Sequence, residues 1–204
     1  MRISPLLMVL LVLTTSYSAL RAQGDFKSIE EAKGLALGAS IQNFIAYDQE
    51  GNAFDLFEAL ADGPVVLFFY RGNWCPFCNR HLSELEAGLE LIYREGARVV
   101  AVSPEKPELM EKTIKKTGAS FTLLYDEENR IAGRFDVAYL PEKPVKTKSG
   151  LFSGNKSIAD ETTQLPIPAT YIIEAPGKIT WRHLDPDYKN RASAEDIAQA
   201  LQRR

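Results

Sequence analysis

Cysteine is nearly absent from this 204-residue chain, which holds only Cys75 and Cys78. Histidine is as scarce, with His81 and His183 alone. A disulfide-dense scaffold is thereby excluded, and a closed zinc site, which takes four ligands, lacks the second cysteine pair it would normally use. Basic excess is missing too: 24 Lys and Arg stand against 27 Asp and Glu, a formal net charge of −3. A dedicated nucleic-acid binder needs that excess to neutralise phosphates, so no nucleic-acid partner is expected. No long hydrophobic run occurs; Leu6 to Leu13 gives eight apolar residues, where a bilayer span needs about 20. No internal repeat is visible. What remains is ordinary globular composition, 45% hydrophobic and 25% charged, in a length that suits one domain with a proper core.

The short apolar run follows Arg2 and ends at Thr14-Thr15-Ser16, with Leu20-Arg21-Ala22 offering a cleavage site. This is the pattern of a secretory signal peptide over residues 1–22. The expected mature chain, 23–204, works in the periplasm or outside the cell, with no stable membrane span unless the leader stays uncleaved as an anchor. Disulfides persist in such compartments.

Beyond the leader the pattern is that of an α/β protein. Ile41 to Tyr47, with a turn at Asp48-Gln49-Glu50-Gly51, predicts a hairpin, and Asp55 predicts a cap on a short helix through Leu60. Val65 to Tyr70 is a continuous apolar run, as in a strand buried on both faces. Leu82, Leu85, Leu89, Ile92 and Tyr93 share one helical face, predicting a long helix from near Cys75 to Gly96. Arg98–Val102 and Phe121–Tyr125 predict further strands, Lys106–Lys116 and Asn129–Phe135 helices. Alternating strands and helices imply parallel pairing with right-handed crossovers. Thr170–Glu174 and Lys178–Arg182, joined by Ala175-Pro176-Gly177, predict an antiparallel hairpin, and Ser193 a cap on the last helix. The expectation is a central mixed sheet flanked by helices in a single domain. Residues from about 141 to 167, with Lys143, Lys146 and Lys148, form a long connection that is either a solvated surface or a substrate gate.

Cys75 and Cys78 make a poor structural staple. Closing so short a loop removes only about 2 kcal/mol of unfolded-state entropy, against about 4.7 for a 100-residue loop. As a zinc pair they would have to recruit the two histidines, and His81 reads more simply as a polar surface position. Redox chemistry fits their placement. Cys75 falls where the buried strand meets the long helix, so free backbone N–H groups and the helix dipole favour its thiolate, the nucleophilic form. Cys78 lies one turn on, within reach as the resolving thiol. Pro76 suits the first helical turn, and Trp74 and Phe77 give the site an apolar rim. The step would draw its electrons from the two sulfurs, with no cofactor and no metal.

Ile167-Pro168 stands directly before a predicted strand. A cis bond there would turn the preceding backbone outward to pair with a substrate; a trans bond would merely start the strand.

Together FYRGNWCPFC, IAGRFDV and IPATYIIEAPGKI resemble the thioredoxin superfamily, and more narrowly its alkyl hydroperoxide reductase / thiol-specific antioxidant, peroxiredoxin-like branch. The resemblance covers residues 36 to 202. It implies a thioredoxin-like fold, with Cys75 as the attacking cysteine, Trp74 as the tryptophan before it and Pro168 as the superfamily's cis-proline. The sequence also departs from the peroxiredoxin pattern. Gly72 stands where a threonine or serine is expected, Pro168 where an arginine is, and Cys78 where an acidic residue is common. Arg71 either replaces the missing arginine beside the thiolate or is a surface charge.

Three readings are open. The first is a thiol–disulfide oxidoreductase acting on protein or small disulfides. The second is a peroxiredoxin-like thiol peroxidase acting on hydrogen peroxide or alkyl hydroperoxides. Either would be recycled by an external thiol or dithiol reductant. The third is a copper-binding module using the cysteines and His183.

Overall fold

The computed structural model describes residues 27–142 and 164–204; the expected leader, residues 1–22, and the three loop lysines lie outside the described residues. Strand β1 (Ile45–Asp48) and β2 (Ala53–Asp55) form the expected hairpin, and Asp55 caps helix α1 (Leu56–Ala61) by accepting from Phe57 and Glu58 N–H. Then come β3 (Val65–Phe69), α2 (Pro76–Ala87), α3 (Leu89–Tyr93), β4 (Arg98–Ser103), α4 (Pro107–Thr117), β5 (Thr122–Tyr125) and α5 (Arg130–Arg134). The two-residue strands β6 (Ala138–Tyr139) and β7 (Leu165–Pro166) pair with each other. The chain closes with the antiparallel hairpin of β8 (Thr170–Glu174) and β9 (Lys178–His183) and helix α6 (Ala194–Gln202).

Seven strands make one sheet in the order β2-β1-β5-β4-β3-β8-β9. The β3–β4 and β4–β5 pairs are parallel and the outer pairs antiparallel, so the sheet is mixed, as the sequence predicts. The apolar run of β3 lies at its centre with all five residues buried. Alternation sends Val65, Leu67 and Phe69 to one face, under α1 and α5. Val66, Phe68 and Tyr70 face the other way, toward α2, α3, α4 and α6. Each such side chain contributes about 1.5–3 kcal/mol on burial, so β3 is a rigid rail that fixes where the turn leading to Cys75 begins.

Two boundaries differ from the sequence expectation. The long helix is broken: Gly88 leaves helical geometry (φ −102°, ψ 8°) and separates α2 from α3. A Cβ on Gly88 would lie 2.4 Å from that of Ala194, so the break lets α6 approach the backbone closely. The expected 141–167 connection is shorter at its far end, because Leu165–Pro166 pairs with β6.

Candidate active site

Beyond Phe69 the chain leaves β3 through Tyr70-Arg71-Gly72-Asn73-Trp74 and enters α2 at Cys75. Gly72 has φ +131°, a region side chains rarely adopt, and a Cβ there would sit 3.0 Å from Trp74 Nε1. The glycine that replaces the expected threonine or serine is thus required by the turn. Cys75 N–H donates to Gly72 O at 3.1 Å, and Asn79 Nδ2 donates to Asn73 O at 2.8 Å.

Cys75 is itself the N-cap of α2. Its sulfur accepts the Cys78 backbone N–H at 3.3 Å, in the role a serine or aspartate oxygen plays elsewhere, and Pro76 occupies the first helical position. Cys78 lies one turn in. Both sulfurs are unbridged and buried, with Cys75 only 1% exposed.

Arg71 settles between its two sequence readings in favour of the sulfur. It is 8% exposed, donates from Nη2 to Cys75 Sγ at 3.2 Å, and is packed between the rings of Trp74 and Tyr188, 5.2 and 4.1 Å from their centroids. Burial opposes its charge, but Cys75 first, with Cys78 and Tyr139, together outweighs this and keeps the guanidinium protonated.

The two cysteines are driven apart in acidity. Cys75 is lowered to about 5, first by the hydrogen bond from the Cys78 side chain, then by Arg71 and the Cys78 backbone N–H, against a burial cost. Cys78 moves the other way, raised well above an ordinary thiol by burial and then by the Cys75 charge. A thiolate beside a protonated thiol, in one helical turn, can attack a disulfide and then be released by its neighbour.

Three surrounding groups escaped sequence reasoning. Glu105, buried after β4, accepts from Asn73 N–H at 2.7 Å, Tyr70 Oη at 3.1 Å and Thr113 Oγ1 at 2.6 Å, tying the turn before Cys75 to β3 and α4. Tyr188 and Arg191 arrive from the loop after β9. Tyr188 stacks on Arg71 and meets Phe77 edge-on at 5.4 Å. Arg191 Nη2 lies 3.7 Å from Cys78 Sγ.

Other expectations need correction. His81 is no surface residue: it is 4% exposed, with Nε2 bonded to Ala192 O at 2.9 Å. Cys78, His81, Leu82 and Leu85 lie on one buried face of α2, a spacing the sequence displays. Ile167–Pro168 is not cis; the cis peptide among the described residues is Ala175–Pro176. Nor is the backbone there turned out toward a substrate. Ile167 N–H donates to Val137 O, Ala169 N–H returns to Ile167 O, and Phe69 N–H donates to Ala169 O, so the segment is spent on β3 and the small sheet. Ile167 and Pro168 are buried beside the end of β3, whereas Pro76 is exposed. For a copper site, no three His, Cys, Asp or Glu side chains converge as ligands among the described residues.

Residues 37–182 match the AhpC/TSA family. The chain belongs to that family. Relatives of the chain include both thiol-disulfide oxidoreductases and peroxiredoxins. Thiol-disulfide oxidoreductase ResA of Geobacillus thermodenitrificans is 25% identical over 121 residues, 59% of this chain and 68% of that protein. Peroxiredoxin Bcp of Escherichia coli is 26% identical over 155 residues, covering 76% and 88%. The crystal structure of peroxidoxin BcpB from Mycobacterium tuberculosis superposes with a TM-score of 0.63 at 21% identity, covering 83% of this chain and 97% of that one. That likeness shows the fold, which is thioredoxin-like.

Proposed function

We propose that this AhpC/TSA protein is a thiol–disulfide oxidoreductase that uses Cys75 and Cys78 as a dithiol–disulfide couple. The observation that carries this is the placement of the pair: Cys75 Sγ caps α2, accepting from Cys78 N–H at 3.3 Å and from Arg71 Nη2 at 3.2 Å, with the buried Cys78 one turn on. The Cys75 thiolate attacks one sulfur of a disulfide and expels the other as a thiolate. Cys78 then attacks Cys75, forming the Cys75–Cys78 bond and releasing the product thiol. Two electrons pass from the protein pair to the substrate, and an external thiol or dithiol reductant restores the pair. Trp74, half-buried against both halves of the core, and exposed Pro76 form the face a disulfide meets. Ile167 belongs to the apolar cluster on which Trp74 packs, and its role with Pro168 in this reading is to support that face from behind.

Export is part of the same proposal. Its support is the leader pattern at 1–22 and the suitability of a disulfide couple to an oxidising compartment. Among the described residues no helix is long and apolar enough to cross a membrane.

The test is stopped-flow fluorescence, with Trp74 as the reporter beside the sulfurs. The fully reduced protein is mixed with a small aromatic disulfide or with hydrogen peroxide. Rapid oxidation by the disulfide, lost in Cys75→Ser, with peroxide acting no faster than on a free thiol, supports the assignment. Fast peroxide oxidation with a slow disulfide reaction would assign the chain to the peroxidase side of its family instead.

A further inference from the structure

Cys78 must ionise to resolve a mixed disulfide, yet much of its surroundings opposes that. It is fully buried, and the groups facing it come from several elements. Burial opposes its charge first and the Cys75 sulfur next; Glu105, from the β4–α4 connection, lies close enough to feel that charge, and Tyr70, at the end of β3, is held neutral beside it. His81, on the next turn of α2, is buried and held neutral, so it supplies no positive charge. The Arg71 side chain donates to Cys75, and its charge acts on Cys78 less than on Cys75. A resolving thiol in this setting needs a cation of its own.

The loop between β9 and α6 brings one. Arg191 is fixed at two points: its Nε donates to Tyr188 O at 2.6 Å and its Nη2 points to Cys78 Sγ at 3.7 Å. The next residue, Ala192, is clamped by His81 Nε2 and packs in the same apolar cluster as Cys78. The loop is braced by Asp185, which accepts from Asp187 N–H and Asn190 Nδ2, both at 2.8 Å. Arg191 Nη1 is buried without a hydrogen-bond partner, and among the described residues no carboxylate forms an ion pair with Arg191. A guanidinium placed this way, half-buried and without a carboxylate partner, gains an anionic partner once Cys78 is a thiolate. Its charge is aimed in advance at where negative charge develops during resolution.

We propose that Arg191 is a catalytic residue for the second half of the reaction, stabilising the Cys78 thiolate as Arg71 stabilises that of Cys75. The assignment rests on the dithiol reading above. In the step it serves, the Cys78 thiol gives its proton to solvent and the thiolate attacks Cys75 Sγ of the mixed disulfide. The Cys75–Cys78 bond forms as the bond from Cys75 to the substrate sulfur breaks, and that sulfur leaves with the electron pair. The division of labour is spatial: one arginine precedes α2 and serves the attacker, the other precedes α6 and serves the resolver.

The size of the effect comes from thiol chemistry. An opposite charge at this range lowers a thiol's pKa by about one to two units, while the lost basicity takes back nearly half of the rate gain. Removing Arg191 therefore slows resolution about three- to fifteen-fold near neutral pH, with the gap closing as the pH rises and the thiol ionises unaided.

The experiment mixes the reduced full chain with excess dithiodipyridine, an uncharged aromatic disulfide, so that a change at Arg191 does not alter reagent attraction. The first thiopyridone released reports Cys75 attack and the second reports resolution by Cys78. Arg191→Gln is expected to slow the second phase by that factor relative to the first and to move the pH profile of the second phase upward. Arg191→Lys, which keeps the charge, should restore most of the second phase, and Arg191→Met, of similar length without the charge, takes the place of the glutamine variant should that one fail to fold. Second phases and pH profiles matching wild type in both variants would overturn the assignment and leave the dithiol reading intact. If the wild-type chain released only one thiopyridone, the dithiol reading would fall and the assignment with it.

Discussion

Arg71 reaches the Cys75 sulfur at 3.2 Å from a buried slot between the rings of Trp74 and Tyr188. An arginine held this way cannot swing to solvent, so its charge acts on the sulfur continuously. Tyr188 closes the slot from a loop over a hundred residues away, and the reactivity of the CPFC turn is therefore a property of the assembled fold.

The first prediction concerns that charge. Ultraviolet titration of the reduced protein should show Cys75 ionising at about 5, and Arg71→Met should raise the midpoint by about one unit or more. Because a stabilised thiolate favours the reduced state, the same variant should make the couple more reducing by about 30 mV per tenfold change in its equilibrium. An unchanged midpoint would show that Arg71 does not govern the sulfur.

The second concerns Glu105. Three donors end on its carboxylate, so Glu105→Leu should cost about 3 kcal/mol or more and slow Cys75 alkylation, because the Asn73 anchor is lost. Glu105→Gln keeps an acceptor for Asn73 N–H and should cost less. Burial raises the Glu105 carboxyl above its usual 4.5. The penalty is absent below that value and grows as pH rises and the group ionises, so the glutamine variant should gain on wild type from acid to neutral pH. Urea unfolding across that range measures both effects.

The third concerns His81, whose pKa burial depresses from 6.5 to about 4. Its stabilising contribution is present above 6.5 and lost as pH falls through about 4, amounting to about 3 kcal/mol over the window. His81→Gln should flatten the acid limb of the stability curve between those values. An equally steep acid limb in the variant would place the sensitivity elsewhere.

The fourth uses Gly72. Gly72→Thr would restore the residue type common in peroxiredoxins, but φ +131° and the nearby indole forbid it without rearrangement. It should cost about 1–3 kcal/mol in thermal or urea unfolding and create no fast peroxide reaction. Rapid peroxide turnover in that variant would contradict this account of the turn.

Much of this architecture can be read from short-range pattern. The buried run of β3, the caps at Asp55 and Ser193 and the placement of Cys75 at a strand-to-helix junction all depend on residues a few positions apart. What sequence conceals is long-range. Leu82, Leu85, Leu89 and Ile92 keep helical rhythm through Gly88, where Ala194 packs against the place a side chain would fill. Arg191 reads as loop polarity until folding sets it against Cys78, 113 positions earlier. Pro168 misleads for a related reason: its neighbours' hydrogen bonds go to Val137 and Phe69, partners that local sequence does not name.

The central claim is that Cys75 attacks and Cys78 resolves. Its most direct measurement is intact-mass analysis after brief exposure of the reduced single-cysteine variants to a small aromatic disulfide at neutral pH. The account predicts that Cys78→Ser accumulates one stable mixed disulfide on Cys75 while Cys75→Ser stays unmodified over the same interval. Modification of Cys75→Ser at an equal or greater rate would contradict it, making the buried Cys78 the nucleophile.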